Sequence, residues 1–213
     1  MPPEVGWALP DTQILLASAS PTRQQMLANA GLIFAARPAH IDEEAVRAGA
    51  GAEGLPLPEI AVLLAELKAE AISARHPDAL VIGCDQLLIC AGKMFAKPAD
   101  RASAARQLAQ LSGREHELAT AVVLLKQGKR LWHHLARPQL VLRALGPDLI
   151  EAYLDQAGEA ALSSPGCYQI EGPGAQLMQK ISGDWFSILG LPLLELLAQL
   201  REYGLAPQTR QAG

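Results

Sequence analysis

The sequence predicts an α/β protein built on a twisted mixed β-sheet with flanking helices. Three observations carry that expectation. Several segments place apolar residues at helical spacing, and they alternate with short apolar runs of strand length. The helical segments begin at Ser, Asp or Pro and stop at Gly. Ala91-Gly92 and Lys126-Gln127-Gly128-Lys129 read as hairpin connections, so the sheet cannot be all parallel. At 213 residues the chain is about 1.4 times a ~150-residue domain. Residues 12–204 read as a single domain, with loose tails at 1–11 and 205–213.

Each element follows in order. Gln13–Ala17 is a short buried strand. Ser20 caps the next helix, Pro21 is its first residue and Gly31 its stop. A second extended piece runs near Leu32–Pro38. The helix from about Pro58 to Arg75 carries Ile60, Leu63, Leu64, Leu67 and Ala71 at core spacing. Leu80–Cys90 is a strand, and Met94–Lys97 returns antiparallel to it. Asp100 caps a helix to Leu111, with Gly113 beyond its end. Glu117–Leu125 and Leu131–Leu142 are two more strands, Pro138 demanding an edge or bulge in the second. A helix runs from Pro147 to near Gly158, loop and short strand fill 159–184, and Trp185–Leu189 is a strand. Pro192 opens a last helix that Gly204 ends.

Composition excludes several function classes. With 50% hydrophobic and 19% charged residues the chain is not disordered. Three Trp, three Tyr and three Phe are few for a base-stacking nucleic-acid platform. A net charge of −4 removes bulk attraction to nucleic acid or anionic membrane. No uncharged apolar run is long enough to span a bilayer, and the N-terminus lacks the basic and apolar regions of a signal peptide. Cys84, Cys90 and Cys167, without CxxC spacing, fit reduced thiols in a cytoplasmic protein. An acidic protein can still hold a small polyanion through a few placed cations.

Four places supply such cations and carboxylates to set beside them. Arg23 falls at the third helical position after Ser20, the wrong end of the helix dipole for a cation. An anion bound between Arg23 and the free N–H groups of that turn, with Ser18 and Ser20 adding hydroxyls, accounts for it. A plain capped helix with a surface arginine is the alternative. Asp85 interrupts an apolar strand, where a carboxylate needs a partner, a metal or a cleft. The hairpin places it beside Lys97 across the strands, either as a structural ion pair or as a metal-binding, water-activating carboxylate beside a phosphate-binding lysine. Lys68 borders the apolar face of its helix, where snorkelling is the common use. Asp42-Glu43-Glu44 reads as an acidic loop cluster. Together these residues make an inventory for a nucleoside triphosphate with a divalent metal, Mg²⁺ suiting the oxygen donors best, with Mn²⁺ or Co²⁺ as alternatives.

The motifs that hold these residues resemble the Maf-like nucleotide pyrophosphatases. Leu16-Ala17-Ser18-Ala19-Ser20-Pro21-Thr22-Arg23 resembles that family's opening S-x-S-P-R-R signature. Gly83-Cys84-Asp85-Gln86 with Lys97-Pro98 resembles its central motif. Leu111-Ser112-Gly113 with His116 and Thr120 resembles its L-S-G-x-x-H-x-V-x-T segment. Gly166–Gly172, Ile181–Asp184 and Gly190–Leu193 resemble its C-terminal blocks. The matches fall in order over roughly residues 13–200.

The resemblance implies a cytoplasmic, commonly dimeric hydrolase that splits a nucleoside triphosphate into the monophosphate and pyrophosphate. It implies two lobes around a cleft, similar to the inosine triphosphate pyrophosphatases. Ser18, Arg23, Lys68 and Lys97 would bind phosphates, Glu43 would help Asp85 hold the metal, and Asp85 would activate the water. Three positions bear on the base. Thr22 stands where dTTP- and UTP-acting members carry Arg, Gln86 where they carry Thr, and Glu171 where they carry Gln. Gln86 and Glu171 resemble the branch acting on 7-methyl-GTP, and a carboxylate at Glu171 can accept from a guanine-type N1–H and exocyclic amine. Ser164 replaces a lysine often found in the late block, and Tyr168 suits packing as well as a base contact. Rival readings are a dTTP/UTP pyrophosphatase, a nucleotide-binding regulator linked to cell division, and a phosphatase releasing orthophosphate.

Overall fold

The computed structural model describes residues 12–206. The tail expected at 1–11, and residues 207–213 of the one expected at 205–213, lie outside the described residues. Leu205 and Ala206, assigned from sequence to the C-terminal tail, are buried in the core.

Among the described residues eight strands form one sheet: β1 (Ile14–Leu16), β2 (Ala35–Ala36), β3 (Leu80–Cys90), β4 (Lys93–Phe95), β5 (Glu115–Lys126), β6 (Lys129–Ala136), β7 (Gln139–Leu142) and β8 (Met178–Ser182). Seven α-helices of the described residues flank it: α1 (Pro21–Asn29), α2 (Glu43–Ala52), α3 (Leu57–Ser73), α4 (Arg101–Leu111), α5 (Pro147–Ala157), α6 (Trp185–Ile188) and α7 (Leu193–Glu202). The strand order is β2-β1-β3-β5-β7-β8, with β4 on β3 and β6 on β5. β1 runs parallel to β2 and β3 and the remaining pairs are antiparallel, so the sheet is mixed as expected.

Strand alternation divides the core. Val81, Leu87, Ala119, Ala121, Val123 and Leu125 face α3, while Leu80, Ile82, Cys84, Val122 and Leu124 face α1 and α7. A third cluster gathers α4, α5, the far half of the sheet and the 161–170 segment into the second lobe. Gly83 lets α3 approach the sheet closely. A Cβ there would lie 2.0 Å from the Ala65 carbonyl oxygen and 2.8 Å from Ala69 Cβ. Only a residue without a side chain fits under that turn of helix.

One feature of the sheet positions the site. β1 pairs with β3 as far as Leu16↔Ile82, and β4 pairs with the same edge of β3 only from Leu88↔Phe95. Between these ladders residues 83–87 have no strand partner on that edge, while their other edge is fully paired with β5. The result is a notch in that edge of the sheet. Asp85 and Gln86 sit in it, one directed to each face.

Four expectations need correction. Asp42-Glu43-Glu44 is not a loop: Asp42 Oδ1 accepts from Ala45 N at 3.0 Å and caps α2, whose first turn holds both glutamates. Trp185–Leu189 is not a strand, because Asp184 Oδ2 accepts from both the backbone N–H and the hydroxyl of Ser187 and starts α6. Leu131–Leu142 splits into β6 and β7 at Arg137-Pro138, where proline supplies no ladder donor. Finally, the hairpin ladder ends at Phe95, so Lys97 does not pair across from Asp85.

Candidate active site

The site forms around the notch in a cleft of about 780 Å³. The first wall is the β1–α1 turn. Ser20 Oγ accepts from Arg23 N at 3.4 Å and caps α1, and Ser18 Oγ accepts from Ser20 N at 3.2 Å. Arg23 reaches inward rather than out to solvent. Its Nε donates to Gly190 O at 2.7 Å, and its Nη1 donates to Cys84 O at 3.2 Å and Ser18 Oγ at 3.3 Å. Three of the five guanidinium N–H donors are thereby fixed, and the Nη2 donors remain for a ligand. Ser18 is buried behind Arg23, whereas Ser20, Thr22 and Arg23 line the cleft.

The second wall is a chain of charges. Lys68 Nζ donates to Asp85 Oδ1 at 2.6 Å and to Glu43 Oε1 at 2.7 Å, and Arg47 Nη2 donates to Glu43 Oε2 at 2.6 Å. Lys68 is only 9% exposed and Asp85 4%, so Lys68 is a buried partner and not a snorkelling surface residue. It is Lys68 from α3, not Lys97, that meets the strand carboxylate, because Gly83 draws α3 onto β3. Burial raises the Asp85 carboxyl above its usual range, against the opposing charges of Lys68 and Arg23. Burial would raise Glu43 too, but its bonds to Lys68 and Arg47 outweigh this and hold it low.

Asp85 Oδ2 is buried and makes no hydrogen bond within the described residues. An unsatisfied carboxylate oxygen costs free energy unless something else meets it. Asp85 and Glu43 provide oxygen donors only, which suits a hard divalent cation such as Mg²⁺. Among the described residues no cluster of three or more His, Cys, Asp or Glu could hold a metal by itself. A cation bound by one or two carboxylates, with phosphate oxygens and water filling its other positions, fits this set.

Lys97 is exposed on the cleft wall after β4, and Glu171 is exposed on the wall contributed by the second lobe, with Tyr168 and Ser164 nearby. Gln86 Nε2 donates to Thr120 Oγ1 at 2.8 Å and to the carbonyls of Ser187 and Ile188 at 3.0 and 3.1 Å. The cleft thus brings together Ser20, Thr22, Arg23, Glu43, Lys68, Asp85, Gln86, Lys97 and Glu171, with Ser18 one layer behind. Sequence reasoning missed Arg47, and it noted Gly190 only as part of a family block, without a role. Arg47 was signalled by its i,i+4 spacing from Glu43. Gly190 acts through its carbonyl and has no side chain to notice.

Comparison with known proteins decides the family. The model of the Maf-like protein family matches residues 13–203. The chain belongs to the Maf-like family. A relative from Granulibacter bethesdensis named nucleoside triphosphate pyrophosphatase is 50% identical over 191 residues, 90% of this chain and 97% of its own. Relatives from Rhizobium etli and Mesorhizobium japonicum, both named 7-methyl-GTP pyrophosphatase, are 49% and 50% identical over 192 residues. Each of those alignments covers 90% of this chain and 96% of the relative. Within this Maf-like chain no described helix is long and apolar enough to cross a membrane.

Proposed function

We propose that this Maf-like chain hydrolyses a nucleoside triphosphate to the monophosphate and pyrophosphate, with 7-methyl-GTP the preferred substrate. The observation that carries the reading is the Glu43–Lys68–Asp85 chain opening onto a cleft whose facing wall is the capped turn of Arg23. Carboxylates that can activate water and cations that can hold phosphates thus share one enclosure.

The roles follow from the geometry. The Nη2 donors of Arg23, the Ser20 hydroxyl and the α1 N-terminus face the anion, and Lys97 adds an exposed ammonium. Ser18 keeps Arg23 in place. Asp85 orients a water and takes its proton as the α-phosphorus is attacked, and burial raises its affinity for a proton above that of a free carboxylate. Lys68 holds Asp85 Oδ1, leaving Oδ2 as the free oxygen. Glu43 and Asp85 are the residues that would hold Mg²⁺, or Mn²⁺ or Co²⁺ in its place. Such a cation offsets the charge of the triphosphate. Glu171 accepts from the N1–H and amine of a guanine-type edge, which the O2 and O4 acceptors of uracil or thymine do not offer. Thr22 stands in the same cleft beside the phosphate wall. A cytoplasmic homodimer completes the reading, supported by the family resemblance.

The test is turnover of 7-methyl-GTP, GTP, UTP and dTTP with Mg²⁺, resolving products. Monophosphate plus pyrophosphate, fastest from 7-methyl-GTP, is expected. Orthophosphate release would indicate a phosphatase, and preference for UTP or dTTP would overturn the assignment of Glu171.

A further inference from the structure

Thr120 is fully buried on β5, opposite Gln86 in the β3–β5 ladder. Its one hydroxyl proton goes to Ser187 O at 2.9 Å, with Leu118 O a longer alternative at 3.5 Å. Toward Gln86 it is therefore an acceptor only. The carbonyls of Ser187 and Ile188 are acceptors by nature. Three acceptors thus surround one terminal atom of Gln86, at 2.8, 3.0 and 3.1 Å. That atom has to be the NH₂ group, since a flipped amide would set oxygen against three oxygens. Gln86 Oε1 makes no hydrogen bond among the described residues, and it is not sealed from solvent as Asp85 Oδ2 is. Gln86 lines the cleft, so Oε1 is the face it offers there.

We propose that Thr120 is a positioning residue which, with the carbonyls of Ser187 and Ile188, fixes the Gln86 amide with its oxygen toward the cleft, so that the substrate edge meeting Gln86 is a hydrogen-bond donor. This rests on the pyrophosphatase reading and narrows it. Gln86 Oε1 and the Glu171 carboxylate both accept, and a nucleotide seated between them has to donate. The donor is an exocyclic amine of the base or a hydroxyl of the ribose. Thr120 touches neither. It removes the freedom of the amide to turn over, which would present a donor instead.

The test compares the 7-methylated forms of GTP, ITP and 2′-deoxy-GTP as substrates. The second lacks the exocyclic amine and the third lacks a ribose hydroxyl. Wild type should prefer the complete nucleotide by about tenfold in kcat/KM over one of the two, and that one names the donor. Thr120→Val should lose most of this preference, with the loss in KM rather than kcat. Thr120→Ser, which keeps the hydroxyl, should retain it. Gln86→Leu, on the half-buried cleft wall, should abolish the preference without disturbing the buried threonine, and it serves if Thr120→Val folds poorly. Equal turnover of all three nucleotides by wild type, or full preference in Thr120→Val, would overturn the positioning role alone. Absence of pyrophosphate from every nucleotide would instead overturn the pyrophosphatase reading.

Discussion

Lys68 Nζ lies 2.6 Å from Asp85 Oδ1, joining a helix to the interior of a strand at a point where both groups are nearly sealed from solvent. The same ammonium bonds Glu43, which in turn bonds Arg47. The two cations and two carboxylates therefore balance as a string across α2, α3 and β3. Lys68 is the member on which the string depends, because removing it leaves the buried carboxylate of Asp85 without its ion-pair partner.

The first consequence concerns stability. Lys68→Met should destabilise the fold by about 3–5 kcal/mol, the usual cost of leaving a buried carboxylate unpaired. Adding Asp85→Leu should recover much of that loss, since the orphaned charge is then gone. Urea denaturation of the wild type and both variants measures it. Equal stability of the single and double variants would show that the pair carries no such coupling.

Asp85→Asn separates chemistry from structure. The amide keeps the carboxylate's shape and can still accept from Lys68, but it cannot take a proton from water. Pyrophosphate release should fall by roughly 10²–10³, while the thermal midpoint stays close to that of wild type. Near-full turnover in the folded variant would remove Asp85 from the role of base.

Much of this site was legible in the sequence, because caps and misplaced charges are local signals. Ser20, Pro21 and Arg23 marked the capped turn that lines the cleft, and Asp85 stood out as a charge inside an apolar strand. The partner of Asp85 was not legible. It depends on how closely α3 packs, and so on the space left by Gly83 beneath Ala65. The notch was also hidden, since it arises from where the β1 and β4 ladders stop along β3. The α6 turn was misread as a strand because its aromatic and apolar residues outweighed the cap signal of Asp184. The acidic cluster at Asp42 was a helix start whose glycines, Gly49 and Gly51, obscured the helical pattern.

His116 makes stability depend on pH. The residue is 2% exposed, with Nε2 2.6 Å from the Tyr168 hydroxyl and Nδ1 without a hydrogen-bond partner among the described residues. Burial lowers its pKa from 6.5 to about 4, against a smaller opposing effect of the Arg114 backbone. Below about pH 6.5 the unfolded chain takes up a proton that the native protein refuses until about pH 4. Stability from this residue is therefore intact above pH 6.5 and is lost as pH falls toward 4, by on the order of 3 kcal/mol. His116→Gln, which can still bond Tyr168 but does not titrate, should flatten that slope. Urea midpoints at neutral pH and near pH 4.5 check it, and parallel slopes would contradict the assignment.

Gly83→Ala tests whether close packing of α3 sets the site. The added methyl would meet Ala65 O at 2.0 Å, Ala69 Cβ at 2.8 Å and Val123 Cγ2 at 3.0 Å. The nearest of these is backbone, so the helix has to move as a body instead of one side chain yielding. Overpacking of this kind costs about 1–3 kcal/mol, and more where backbone must shift. Lys68 lies within a turn of both contacts and moves with them, pulling its ammonium away from Asp85. Misplacement by about 1 Å at a reacting centre can cost ~10² in rate. Turnover should therefore fall further than stability alone explains, even when assayed well below the thermal midpoint. Melting curves and kcat for Gly83→Ala, compared with Lys68→Met, provide the check. If the variant loses stability but keeps wild-type kcat, the helix relaxes without disturbing the Lys68–Asp85 pair, and the close approach at Gly83 serves packing alone.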